Sequence, residues 1–92
     1  MLQMQTQKRL CTQTMDIQNV GRATTTLLED VLPNGLRQYS ITVQLSSDHG
    51  VEERTVSNVT TNKPFAMELF WQICRGTVTP CTLTEVLSEL IP

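Results

Sequence analysis

The chain has 92 residues, 39% of them hydrophobic and 17% charged, with a net charge of −2 and an isoelectric point near 5.2. That length holds one small domain, the periodic placing of the apolar residues excludes a disordered chain, and the acid balance does not suit a protein that works by neutralising phosphates. No run approaches the roughly 18 apolar residues of a membrane span, and no apolar leader opens the chain. Three cysteines, an odd count, suit reduced thiols, so a cytoplasmic location is expected.

Residues 1–21 form a compositional unit in which Gln3, Gln5, Gln7, Gln13 and Gln18 mix with Thr6, Thr12 and Thr14, and apolar residues stand alone. This reads as a polar Gln/Thr-rich N-terminal tail or weakly ordered lead-in, with a short strand over residues 9–14 as the alternative, ahead of a single α+β domain over residues 22–92. Residues 22–32 are rich in β-branched side chains (Thr24, Thr25, Thr26, Val31) and end at Pro33, Asn34 and Gly35, which is turn chemistry. Next, Tyr39, Ile41, Val43 and Leu45 alternate with Ser40, Thr42, Gln44 and Ser46, the pattern of a half-buried strand. Asp48, His49 and Gly50 make a second turn, and residues 51–59 a third strand. Val56 and Val59 are out of phase there, which a β-bulge near Ser57 and Asn58 would reconcile.

Two helices follow. Thr61 or Asn62 can cap the first, with Pro64 in its first turn. Ala66, Leu69, Phe70, Ile73 and Cys74 then fall at i, i+3, i+4, i+7 and i+8, one apolar face, and Gly76 suits the C-terminal stop. For the second helix, Thr79 is the expected cap and Pro80 the first residue, with Val78 and Leu83 spaced as a hydrophobic staple and Leu83, Val86, Leu87 and Leu90 as the inner face. The expected fold is α+β: a three-stranded antiparallel β-meander followed by a two-helix C-terminal hairpin packed on one face.

Sites for chemistry are sparse. His49, the single histidine, falls on a hairpin tip, which lacks the pocket and orienting partner of a general base. Glu29 with Asp30, and Glu52 with Glu53, are neighbours on strands and so point to opposite faces, which reads as solvated faces or a charged edge rather than an acid–base pair. Cys74 lies on an apolar helix face. Cys81 is a weak candidate reactive thiol, because a first-turn position favours the thiolate, yet no basic partner accompanies it. Four-ligand metal spacing and phosphate-binding glycine motifs are both missing, so neither a metal nor a cofactor is expected. Phe65, Met67 and Trp71 flank the apolar stripe of the first helix, and Trp71 is turned about 100° from Phe70. These three are the candidate protein interface, since Trp, Phe and Met favour interface centres.

Val59, Thr60 and Thr61 entering the first helix, then Gly76-Thr77-Val78-Thr79-Pro80 and Leu83-Thr84-Glu85-Val86, give the chain a resemblance. Over about residues 36–92 it resembles a family of short uncharacterised proteins from clostridia-like Gram-positive bacteria. That family has a strand with a tyrosine, like Tyr39, then a Gly-x-Val-x-Pro link before an acidic final helix. This chain departs from it in carrying Pro64, Phe65 and Trp71 where the family usually has charged residues. The resemblance implies a bacterial, cytoplasmic protein, and no activity.

The expected function is therefore a small protein-interaction or regulatory module without catalytic activity, with a protein partner not identified by the sequence, or a second copy in a homodimer. The alternative is a nucleic-acid-associated regulator using Arg22, Arg37 and Arg54 on the sheet, although the charge balance does not favour nucleic acid. A thiol enzyme built on Cys81 ranks last.

Overall fold

The computed structural model describes residues 6–76 and 78–91. Four strands, β1 (Thr6–Ile17), β2 (Gly21–Val31), β3 (Arg37–Ser47) and β4 (Gly50–Thr60), precede helices α1 (Lys63–Arg75) and α2 (Leu83–Leu90). The strands form one antiparallel sheet in the order β1-β2-β3-β4. The class is the α+β expected, but the meander has four strands and not three. The additional strand is β1, drawn from the segment that reads as a lead-in. Its 12 residues pair with β2 from Thr6↔Val31 to Ile17↔Gly21. The part of that lead-in over residues 1–5 lies outside the described residues.

The reason β1 reads poorly is a register shift between Arg9 and Cys11, which leaves Leu10 without a partner on β2. A bulge of this kind brings two adjacent side chains toward one face. Leu10 and Cys11 both pack on the core, so the apolar positions lose their period of two. Residues 12–14 are all exposed, and from Thr14 the alternation is regular, with Met15 and Ile17 half-buried and Asp16 exposed.

Each turn has its own local cause. Between β2 and β3, Gly35 N–H donates to the Leu32 carbonyl at 2.9 Å, and Gly35 takes φ +86°. Asn34 Oδ1 accepts from Leu36 N–H at 3.0 Å. Gly21, which opens β2, has φ +153°, and a Cβ there would stand 2.1 Å from the Ser46 carbonyl oxygen. Only glycine lets β2 and β3 close at that point. On β4 the expected irregularity is present. Tyr39 and Ile41 on β3 face Thr60 and Val56 on β4, so β4 carries two extra residues, and Asn58 adopts φ +53°, a left-handed conformation that Asn tolerates. Val56 and Val59 thereby both join the core.

Both helices cover one face of the sheet. α1 packs chiefly on β2 and reaches β3 and β4, while α2 packs on β4 and α1. Asn62 caps α1, its Oδ1 accepting from Phe65 N–H at 3.0 Å. Ala66, Leu69, Phe70 and Ile73 are its buried residues. They meet Leu27, Tyr39, Ile41 and Val43 of the sheet and Val78, Leu83 and Leu87 from the second helical segment. Gly76 ends α1 with φ −91°, an ordinary extended conformation rather than the left-handed one of a glycine cap.

α2 begins three residues later than Pro80 suggests. Its cap is Thr82, without a side-chain capping bond. Residues 79–82 instead form a closed turn. Thr82 N–H donates to the Thr79 carbonyl at 3.1 Å, and Thr82 Oγ1 accepts from Thr79 N–H at 3.1 Å. The hydroxyl–amide exchange between these threonines competes with helix entry at Thr79.

Candidate interaction surface

The three flanking residues of α1 do not form one patch. At 100° per residue, Met67, Trp71 and Cys74 lie within about 60° of one another, whereas Phe65 is turned about 120° from Trp71. Phe65, Met67 and Cys74 are half-buried and pack on the core. Trp71 is 43% exposed, its ring meeting Phe70 edge-on with centroids 5.1 Å apart. Met67 faces the first strand, and the Cys11 thiol is directed at Met67 Sδ at 3.8 Å. Burial, and then the nearby Cys11, push the Cys74 thiol above its ordinary range.

The exposed flank of α1 is thus continuous with β1. The helical layer is centred on β2, so the row of β1 side chains on the helix side is only partly covered. Cys11, Met15 and Ile17 are half-buried and Gln13 is exposed. Met15, Met67 and Cys74 make a soft, polarizable margin between helix and edge strand, of the kind that adapts to a partner, and Trp71 stands one helical turn on from Met67. Sequence reasoning found Met67 and Trp71 but missed Cys11 and Met15. The period-two run Cys11, Met15, Ile17 against Thr12, Thr14, Asp16 was the available signal.

The carboxylate pair Glu29–Asp30 is not solvated, which corrects the sequence expectation. As alternation requires, the two side chains point to opposite faces, and each is buried against a hydroxyl of β3. Tyr39 Oη donates to Glu29 Oε2 at 2.9 Å, with Glu29 7% and Tyr39 3% exposed. Ser40 Oγ donates to Asp30 Oδ2 at 2.6 Å, and Gln7 Nε2 to Asp30 Oδ1 at 2.7 Å, with Asp30 2% exposed. Asp30 therefore joins β1, β2 and β3 through one side chain. The Tyr39 phenol is held above its ordinary range, first by loss of hydration and then by the hydrogen bond and charge of Glu29.

The remaining candidates are dispersed. Cys81 is exposed in the turn before α2, not in a helical turn, and its thiol points to Glu52 Oε2 at 3.9 Å, an acid where an activated thiol needs a base or cation. His49 is exposed at the β3–β4 turn, where its backbone N–H donates to Ser47 Oγ at 3.2 Å. Arg22 lies on the sheet face away from the helices and pairs with Asp16 at 2.9 Å, which holds its pKa above the usual value through the hydrogen bond and then the charge. Arg54 sits opposite Val43 and Arg37 opposite Val31, both in phase with the helix-side row, so the three arginines do not share a face. Among the described residues, no group of three or more His, Cys, Asp or Glu is placed to hold a metal ion, and no helix is long and apolar enough to cross a membrane.

The sequence matches the family of unknown function DUF6514 over residues 1–92. The chain belongs to that family, and the match takes in the first strand as well as the C-terminal part on which the resemblance rested. No curated protein matches the chain, and neither does any solved structure.

Proposed function

We propose that this DUF6514 protein is a small protein-interaction or regulatory module, not an enzyme, that binds a protein through the outer flank of α1 and the neighbouring β1. The observation that carries the reading is Trp71. A tryptophan 43% exposed beside Met67 at the margin of the core is the kind of side chain that anchors interfaces. The two buried carboxylates are used internally, Glu29 by Tyr39, Asp30 by Ser40 and Gln7. That supports a scaffold role over a catalytic one. The three free cysteines and the resemblance to clostridial proteins support action in the cytoplasm of a Gram-positive bacterium.

The test is Trp71→Glu. Tagged wild-type and variant proteins are compared by pull-down from nuclease-treated host lysate, with circular dichroism as the folding control. The expected result is a folded variant that no longer retains the wild type's stoichiometric partner. A folded variant that retains the same partner at wild-type yield would place the binding surface elsewhere.

A further inference from the structure

We propose that the surface formed by β1 and the Trp71 flank of α1 receives a second copy of this chain, the two β1 strands pairing antiparallel about a two-fold axis to make one eight-stranded sheet. The inference rests on reading that flank as a protein-binding surface, and it names the partner.

Three observations carry it. First, the two free edges of the sheet differ. β4 has Glu52, Glu53 and Arg54 in succession and a two-residue irregularity, features that block edge pairing. β1 carries no charge over residues 11–15 and presents its outer row of N–H and C=O groups there. Second, the charges of β1 are self-complementary. Lys8 and Arg9 lie near its start and Asp16 near its end, so antiparallel pairing brings opposite signs together and parallel pairing stacks like upon like. With the axis at Thr12 and Leu10 as the bulged residue on both strands, Thr12 faces Thr12, Arg9 faces Thr14 and Lys8 faces Met15. Each Arg9 then stands diagonal to the other copy's Asp16, within reach of a long side chain. Every facing pair shares a side of the sheet, as pairing requires. Third, the helical layer leaves the helix-side row of β1 partly uncovered. A second copy on this edge brings its own Met15, Met67 and Trp71 over that row, so hydrogen bonding and apolar burial close together.

Sedimentation equilibrium of the full chain tests the proposal. The wild type is expected to form a dimer. Thr12→Lys, which sets two like charges against each other on the axis, should raise the dimer dissociation constant by about tenfold or more. The same change at Thr55, on the opposite edge, should leave it unaltered. If Thr12→Lys fails to fold, Thr12→Cys replaces it. On-axis partners about 4.5–5.5 Å apart are within disulfide range, so oxidised glutathione should yield a crosslink between the two copies' position-12 peptides, mapped by mass spectrometry. A wild type that stays monomeric at about millimolar concentration overturns the proposal, as does a dimer that survives Thr12→Lys or a Thr12→Cys chain that forms no such crosslink. The proposed function is tested separately: a monomeric chain whose partner capture still depends on Trp71 retains the interaction reading and loses only the self-pairing.

Discussion

Removing one hydroxyl, by Tyr39→Phe, should reveal how firmly the buried acid Glu29 depends on it. The phenol donates to Glu29 Oε2 at 2.9 Å, and Tyr39 and Glu29 are both buried beneath the helices. Phenylalanine fills the same space, so almost nothing is lost in packing. What changes is that a buried carboxyl loses its donor, a cost of about 1–3 kcal/mol. A midpoint of about 2 kcal/mol is a large part of the roughly 5–15 kcal/mol that stabilises a domain, and corresponds to a fall in Tm of roughly 8–16 °C in a chain of this size. Urea unfolding at neutral pH measures it. Adding Glu29→Met to Tyr39→Phe should recover most of the loss, because replacing both partners by apolar groups of similar shape removes the unsatisfied group. There is also a pH signature. The folded-state pKa of Tyr39 is raised above the unfolded value of about 10, so its contribution is complete below that pH and is lost as pH rises through the folded-state value. Tyr39 is the single tyrosine, so phenolate absorbance reports on it alone, and Tyr39→Phe should abolish this alkaline loss of stability. A single variant within about 0.5 kcal/mol of wild type, the range of an ordinary surface change, would refute the reasoning.

Gly21→Ala should destabilise by at least about 1–3 kcal/mol, the strain of a non-glycine residue in such a backbone region, because its Cβ would meet the Ser46 carbonyl oxygen at 2.1 Å; a wild-type melting curve would contradict this. Asn62→Ala should cost about 1 kcal/mol through loss of the α1 cap, read as a lower urea midpoint at unchanged slope, and Asn62→Ser should restore most of it. In timed iodoacetamide labelling near pH 8, the exposed Cys81 should react first and Cys74 last, since burial and Cys11 raise the Cys74 pKa; fast labelling of Cys74 in the folded chain would show that the flank opens.

Much of the fold was legible because it is fixed within a few residues. Asn62 caps α1 through an amide three residues on, and the apolar stripe from Ala66 to Ile73 needs only helical geometry to become a face. The bulge near Asn58 could be read from two valines out of phase. The interface candidates divided for a related reason. Spacing places Phe65, Met67 and Trp71 at the rim of the stripe, but only the position of β1 beside Met67 decides which flank forms a surface.

The amino-acid sequence alone determined the β2–β3 and β3–β4 turns, the helix faces and the half-buried strand β3, since each depends on neighbours in the chain. Tertiary structure alone decided three other matters. β1 runs 12 residues, where the sequence allows a lead-in or a short strand over residues 9–14, because 11 residues of β2 offer it a ladder, and the unpaired Leu10 hides its alternation. Glu29 and Asp30 are interior because Tyr39 and Ser40, ten residues away, supply a hydroxyl on each face of the sheet. α2 starts late because the hydroxyl of Thr82 is engaged by the backbone of Thr79. In each, the stabilising partner is one of several that composition would permit, and the packed chain makes the choice.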